Sequence, residues 1–250
     1  MASRRPLGLE DVAALLAKSR ETRNAILVGG QALNVLAVYY HCEAAASAVS
    51  EDIDFFGDRN VAMAAGKAWG GKTRLATLDD ATSNSAAVTI NINGVSYQID
   101  FMFSLMGIDM DEMQKRARTV EVQSSAFRVM HPLHVLQSQI ENVYGQLSRR
   151  AQGARTVSRS KLAVRVARAA VLESLEAEDL KEALWAAEKV AEIACSPAGL
   201  KALWKDRIEL LDAIPMHANW PGNFIDFRLP QLQIQVREAR RKYRRQQAQK

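Results

Sequence analysis

The periodicity of hydrophobic positions changes part-way along the chain. In the first half, short apolar runs of period two, typical of strands, alternate with segments of helical period. From Leu133 onward, apolar residues recur every three or four positions almost to the end. The pattern predicts an α/β (α+β) domain with a small mixed sheet over residues 1–130, and an all-helical domain over residues 131–250.

The clearest local pattern is a β-hairpin. Residues 87–92 and 95–101 each alternate between apolar and polar positions, and the Asn-Gly pair at 93–94 between them favours a two-residue turn. On the second strand, Gln98 and Asp100 share the polar face. The hairpin therefore predicts a carboxylate on the open side of a sheet.

A glycine pair follows the first short apolar run of the chain. Residues 25–28 predict a strand, Gly29 and Gly30 interrupt it, and residues 31–40 have a helical pattern. Backbone N–H groups at such a strand-to-helix turn can bind a phosphate. The same glycines can also serve simply as a tight turn.

Two further carboxylates lie on the next predicted strand. Residues 52–56 place Asp52 and Asp54 on one face and apolar side chains on the other. If this strand neighbours the one that carries Asp100, the three carboxylates converge. Such a cluster suits Mg²⁺ bound together with substrate phosphates, whereas a solvated strand end is the simpler alternative.

Composition places the chain among globular proteins. It has 250 residues, of which 48% are hydrophobic and 24% are charged. Its two cysteines, Cys42 and Cys195, lie far apart, which favours a reducing cytoplasm over a disulfide framework. We expect a cytoplasmic protein with no membrane partner, because no secretory signal is evident and no apolar run approaches the ~18 residues that a membrane span needs.

Positive charge is concentrated in the second half. Residues 1–130 carry 13 Lys/Arg and 15 Asp/Glu, a net −2, whereas residues 131–250 carry 20 and 13, a net +7. Residues 149–168 contain seven cations and no acid, which indicates either solvated helix ends or contacts with the phosphates of an NTP or an RNA. The basic tail over residues 237–250 is interpreted as a frayed terminus, and the four tryptophans as packing residues or turn anchors rather than base-stacking ones.

The order of these motifs resembles a known superfamily. Gly29-Gly30, then Ser50-Glu51-Asp52-Ile53-Asp54-Phe55, then Asp100 on a later strand is similar to the polymerase-β-type nucleotidyltransferases. The wide gap between the glycines and the aspartate pair, and the helical second half, are most similar to the AbiEii-like toxin nucleotidyltransferases. The resemblance covers roughly residues 24–101.

The resemblance implies a fold and a reaction. The first domain would have a nucleotidyltransferase-like core, and would transfer a nucleoside monophosphate from an NTP, with Mg²⁺, to an acceptor hydroxyl. Some toxins of this group modify tRNA, so the resemblance implies RNA and a cognate antitoxin as partners. It also implies a role in a toxin–antitoxin system or in phage defence. The nucleotide-binding residues it implies are Gly29, Gly30 and Ser50, and the metal-binding and catalytic residues are Asp52, Asp54 and Asp100.

The chain departs from that group in two motifs, a helical lysine and a basic-then-acidic pair that usually follows downstream, neither of which is evident here. These toxins usually carry a lysine early in the helix after the core domain, whereas residues 134–139 here contain none. Lys161, Arg165 and Arg168, which recur along one predicted helix face, are candidates for binding the triphosphate instead. The alternative is a degenerate nucleotidyltransferase fold that binds nucleotide or RNA without turnover. A third possibility is that the helical half mainly docks a partner.

Overall fold

The structure is a computed structural model that describes residues 8–18, 22, 25–42, 53–77, 79–80, 83–122, 124–145 and 154–249. The chain divides into two compact units, Met1–Ser138 and Gln139–Lys250. Asp52 and Ser50, which the sequence nominates as functional residues, lie outside the described residues.

The first unit is a mixed sheet with helices. Its described strands are β1 Ile26–Val28, β2 Ile53–Phe56, β3 Lys72–Leu75, β4 Asn84–Ile92, β5 Val95–Met102, β6 Arg118–Val122 and β7 Ser125–Val129. Its described helices are α1 Leu9–Leu16, α2 Gly29–Tyr39, α3 Arg59–Trp69 and α4 Met110–Arg116, and α5 Pro132–Tyr144 runs from this unit into the next.

Seven strands form one sheet in the order β3-β4-β5-β2-β1-β7-β6. The β2–β5 and β1–β7 pairs are parallel, and the other neighbouring pairs are antiparallel. The predicted combination of a mixed sheet with a helical second half is therefore confirmed.

Local patterns located several of these elements. Helix α3 has the predicted bounds, because Asp58 caps its first turn and Gly70, in the left-handed conformation, ends it. The hairpin of β4 and β5 turns at Asn93 and Gly94, both with positive φ, as the sequence predicts.

Two strands have no counterpart among the predictions. Strand β3 is an edge strand of sequence KTRL, and β6 reads RTVEV directly after a polar helix. An edge strand pairs on one side only, so β3 tolerates charged residues that hide the period-two pattern. Strand β6 does alternate, with Val120 and Val122 buried between exposed polar residues, and it pairs with β7.

An aromatic cluster joins β2, β5 and α3 on the buried side of the sheet. The rings of Phe55 and Phe101 stack with centroids 5.7 Å apart, and Trp69 lies 6.2 Å and 6.0 Å from them. The Trp69 indole also donates a hydrogen bond to the carbonyl oxygen of Leu15, at 2.8 Å. The cluster fixes how β2 and β5 lie against each other and connects them to α1.

The second unit is helical in its described part. Its elements after α5 are α6 Ala154–Glu176, α7 Leu180–Cys195, α8 Pro197–Asp206, a 3₁₀ turn Leu210–Ala213, a π-helical turn Phe224–Arg228, and α9 Leu229–Ala248. Helices α6 and α7 pack through small buried residues such as Ala167, Ala170 and Ala187, whose size lets the two helices approach closely.

The apolar period predicts a polar connection over residues 148–160 and helices over residues 161–177 and 200–213, and three of these boundaries are wrong. Residues 154–160 belong to α6, within which the buried Ser160 hydroxyl donates to the Thr156 carbonyl oxygen. The helix predicted to run to residue 213 ends at Asp206, where Arg207 adopts φ of 55°. It also begins at Pro197, earlier than predicted, with Ser196 as its N-cap.

The described helices include none that is both long enough and apolar enough to span a bilayer.

The aromatic cluster yields a stability prediction. We expect Phe101→Ala to lower the free energy of unfolding by about 3–5 kcal/mol, because it removes a fully buried ring that contacts two others. Urea denaturation followed by circular dichroism measures the change. Phe103→Ala is the matched control, since that ring is 55% exposed, and we expect its effect to stay within about 0.5 kcal/mol. Equal losses in the two variants would contradict a structural role for the cluster.

Candidate active site

Two carboxylates meet on the open face of the sheet. Strands β2 and β5 are parallel neighbours, and their register pairs Asp54 directly with Asp100. Paired residues on neighbouring strands lie about 4.8 Å apart and project to the same face. Their neighbours in sequence, such as Phe55 and Phe101, project to the buried face. The predicted side-chain alternation of both strands is confirmed.

The glycine turn lies against one of these carboxylates. Val28, the last residue of β1, pairs with Asp54, and α2 begins at the next residue, Gly29. Gly29 has φ of 63°, and a Cβ atom built there would lie 2.4 Å from Asp54 Oδ2. Only glycine permits both the left-handed conformation and this close approach. The phosphate-side motif and the carboxylate motif of the sequence are thus in direct contact.

The same row of paired residues continues across the sheet. Asp100 pairs with Ala87 on β4, and Ala87 pairs with Arg74 on the edge strand β3. The row therefore runs from the glycine turn through two acids and a small residue to an exposed guanidinium group. Arg74 lies two strand spacings, about 10 Å, from Asp100.

Asp100 is held by a neighbouring amide. Gln98, two residues earlier on the same face of β5, donates a hydrogen bond from Nε2 to Asp100 Oδ1, at 2.9 Å. This bond leaves the Oδ2 atom to face other groups, and it restricts rotation of the carboxylate. Gln98 is therefore a positioning residue for Asp100.

A cavity of ≈310 Å³ opens beside Asp100, and we call it the β3–β5 cavity. Its polar lining comes from Arg74, Asp80, Asn84 and Gln98. Its apolar lining comes from Ala76, Ala86 and Ala87. The volume lies at the lower end of the range found for small-molecule sites. Asp54 and Asp100 do not line the cavity, but Gln98 lines it and bonds Asp100, so the cavity adjoins the carboxylates.

The rim of the β3–β5 cavity is fixed by a network around Asp80. Arg74 NH2 donates to Asp80 Oδ1 at 2.7 Å, and the backbone N–H of Thr77 donates to Asp80 Oδ2 at 2.9 Å. These bonds lower the pKa of Asp80, with the Thr77 backbone bond as the largest cause. The rim is further tied down by Arg59, which donates to the Ala76 carbonyl oxygen at 2.7 Å.

A β-bulge shapes the floor of the same cavity. The register of β4 on β5 shifts between Asn84 and Ala86, so that Ser85 has no partner position on β5. The buried Ser85 hydroxyl lies 2.7 Å from the Gly57 carbonyl oxygen and 3.0 Å from that of Phe101. The bulge thus links β4 to the end of β2.

The donor set suits a magnesium ion shared with a substrate. Among the residues that the structure describes, no group of three or more His, Cys, Asp or Glu side chains is placed to hold a metal by itself. Asp54 and Asp100 supply two paired carboxylates, and Mg²⁺ is commonly bound by one or two carboxylates together with substrate phosphates. These two residues would therefore hold Mg²⁺ when a triphosphate is present.

The remaining predicted residues are distributed between the two units. Gly30 is buried in the first turn of α2, beside Gly29. Lys161 and Arg165 lie exposed on α6 in the second unit, and Leu162 and Val166 face its core, as predicted. Their assignment to the triphosphate stays a prediction.

The helix that lacks the expected lysine carries a buried histidine instead. His134 is fully buried in the first turn of α5, and its Nε2 atom lies 3.3 Å from Glu112 Oε2. This position therefore contributes to packing between α5 and α4.

No known protein family model matches the chain, and no curated protein sequence matches it.

Sequence reasoning missed the far side of the site. Arg74 and Asn84 were not nominated, because β3 was not recognised and the bulge that turns Asn84 into the cavity has no sequence signature. Gln98 was assigned to the same face as Asp100, and that assignment is confirmed by its hydrogen bond. The sequence signal for this contact is the spacing of two residues between Gln98 and Asp100, which puts both side chains on one face of a strand.

The contact between Gly29 and Asp54 yields a second prediction. We expect Gly29→Ala to destabilise the fold by more than the roughly 1–2 kcal/mol that a left-handed conformation costs, because the new methyl group collides with the carboxylate. Gly70→Ala is the matched control, since Gly70 has φ of 67° and nothing within 4 Å of a built Cβ atom. Chemical denaturation of both variants gives the comparison.

A double-mutant cycle isolates the collision. Asp54→Ala in the Gly29→Ala background removes the carboxylate oxygen, so part of the lost stability returns. The same Asp54→Ala change in the Gly70→Ala background recovers nothing. Additive effects in the first pair would show that Gly29 and Asp54 do not constrain each other.

Proposed function

We propose that the protein is a Mg²⁺-dependent nucleotidyltransferase that transfers NMP from an NTP to an acceptor hydroxyl. The observation that carries the proposal is the single row formed by the glycine turn, Asp54 and Asp100 across three strands. A phosphate-binding turn in contact with a carboxylate pair is the combination that phosphoryl transfer needs.

Each residue of the row has a task in this reaction. Backbone N–H groups at the start of α2 lack partners within the helix and can bind triphosphate oxygens near Gly29. Bound Mg²⁺, held by Asp54 and Asp100, would neutralise charge on the triphosphate and the leaving group. Asp100, oriented by Gln98, accepts the proton of the acceptor hydroxyl. The acceptor oxygen then bonds to the α-phosphorus as the α-phosphorus–oxygen bond to the β-phosphate breaks, releasing pyrophosphate.

The β3–β5 cavity is the acceptor side of this site. It lies across Asp100 from the glycine turn, so phosphates at one end and an acceptor at the other would meet at the carboxylates. The alanines offer an apolar surface, the amides of Asn84 and Gln98 offer hydrogen bonds, and Arg74 offers a cation. This lining supports an acceptor that combines a ring, polar edges and a phosphate, as the terminal nucleotide of an RNA does.

The biological setting follows from the same proposal. An RNA-modifying nucleotidyltransferase similar to the AbiEii-like toxins would act in toxin–antitoxin or phage defence, with a cognate antitoxin as partner. The net charge of +7 over residues 131–250 supports a polyanionic substrate.

Transfer of radiolabel tests the reaction. We expect the protein to label total RNA when incubated with Mg²⁺ and one of the four α-labelled NTPs, and gels to show the labelled species. Asp54→Asn and Asp100→Asn should each reduce labelling by about 100-fold or more, because each removes a carboxylate from the reacting centre. Asp111→Asn, an exposed acid on α4, is the matched control and should label normally.

Calorimetry with ATP and Mg²⁺ distinguishes the proposed enzyme from a module that binds nucleotide without turnover. Binding of ATP without labelling of any acceptor would replace the enzyme by a nucleotide-binding module. Labelling that persists in both aspartate variants would show that the chemistry lies elsewhere in the chain.

A bulky substitution tests the acceptor side. Ala87→Phe places a ring in the β3–β5 cavity between Arg74 and Asp100, so we expect acceptor labelling to fall at least tenfold while ATP binding stays unchanged. Ser96→Phe puts the same ring at an exposed position of β5 that pairs with Asn91, outside the cavity lining, and should label normally. If Ala87→Phe lowers ATP affinity as much as labelling, the cavity belongs to the nucleotide rather than the acceptor.

A further inference from the structure

A second site lies in the helical unit, where an aromatic surface is surrounded by arginines. Trp204, near the end of α8, is 46% exposed, whereas Trp69 and Trp220 are buried in the described structure. A shallow groove beside it is lined by Leu200, Leu203, Trp204, Arg207, Arg240, Tyr243 and Arg244, and we call this the Trp204 platform. Trp204 is thus more exposed than a residue that serves only for packing would need to be.

The platform is built from two ordered helices. Helix α9 continues to Ala248, and its buried residues Leu229, Leu232 and Val236 anchor it in the unit. The next turns on that side carry Arg240 and Tyr243, which reach the groove. The apolar period predicts a basic helix over residues 231–249, and the structure confirms it, with helix up to Ala248.

The platform is positively charged, and one of its three arginines is in a described ion pair. Arg240 forms an ion pair with Glu209, which fixes the base of the groove. Arg207 and Arg244 are exposed at its edge, and no acidic residue lines it. Arg207 itself adopts the left-handed backbone conformation at the end of α8, so it projects beyond the helix. The platform can therefore attract anions close to Trp204.

The shape of the groove selects the kind of ligand. It encloses only ≈20 Å³, about the space of one water molecule, so it cannot engulf a small molecule. Its apolar part is limited to two leucines and the rings of Trp204 and Tyr243, which is too short for the row of anchors that a docked helix requires. A flat ring stacked on Trp204, with phosphates beside Arg207 and Arg244, fits both constraints.

We infer that the Trp204 platform binds single-stranded nucleic acid, with a base stacked on Trp204 and backbone phosphates paired with Arg207 and Arg244. An unpaired base is required, because a duplex hides both faces of its bases. The inference rests on the second unit alone and does not depend on the proposed nucleotidyl transfer.

Fluorescence anisotropy with a labelled twelve-nucleotide single-stranded RNA, without NTP or Mg²⁺, tests the inference. Trp204→Ala should weaken binding by roughly 5- to 100-fold, the range for loss of one stacked base. Phe227→Ala is the matched control, since Phe227 is a 68% exposed aromatic residue outside the groove, and it should bind normally. Thermal melts of both variants should match the parent protein.

Salt dependence tests the phosphate contacts separately. Replacing Arg207 and Arg244 by Gln should reduce the slope of log K against log salt concentration by about 1.4, at roughly 0.7 per single-strand phosphate. Replacing Lys67 and Lys181, two exposed cations outside the groove, should leave the slope unchanged.

Three results would overturn the inference. One is unchanged affinity of Trp204→Ala. Another is equal affinity for a duplex of the same length. The third is competition by inorganic polyphosphate or poly-glutamate that is as strong as competition by unlabelled RNA of equal charge, which would indicate charge attraction without stacking. If the parent protein binds RNA in this way but transfers no NMP, the result counts against the proposed reaction and leaves the inference about the Trp204 platform intact.

Discussion

The register between β2 and β5 is the constraint on which the candidate active site depends. Phe55 and Phe101 are stacked on the buried face, and Trp69 of α3 packs against both. A slip of β2 by one residue against β5 would turn Phe55 outward and Asp54 inward, at a cost of several kcal/mol. The hydrophobic cluster therefore holds Asp54 opposite Asp100 on the other face.

The same packing explains why Asp54 and Asp100 lie on one face of the sheet. Each carboxylate follows from strand alternation on a sheet whose opposite face is already filled by apolar side chains. Gln98 donates to Asp100, and Gly29 leaves room for Asp54. Paired carboxylates are a ligand set that Mg²⁺ accepts together with substrate phosphates, which links the geometry to the proposed Mg²⁺ chemistry.

The two proposals assign different work to the two units. The sheet unit carries carboxylates, a glycine turn and a cavity, which are features for chemistry on a triphosphate. The helical unit carries an exposed aromatic ring among arginines, which is a feature for holding a polymer. An enzyme that acts on the end of a long substrate benefits from contacts remote from the reacting atoms, because those contacts supply binding energy that positions the end.

Local sequence determined the elements whose signals are contained in a few residues. The Asn93-Gly94 turn, the Asp58 and Gly70 caps of α3 and the alternation around Asp100 all depend on conformational preferences of neighbouring positions. Those preferences act within one or two turns of the chain, so reading along the sequence reveals them.

Tertiary structure alone decided which elements meet. Tertiary contacts between residues distant in sequence pair Asp54 with Asp100, bring Gly29 against Asp54 and place Arg74 on an edge strand. They also leave Trp204 exposed. Their cause is burial of apolar surface summed over the unit, and it leaves no periodic trace at the residues themselves. The sequence by itself therefore determined the candidate aspartates, and the packing of the sheet determined the cavity beside them.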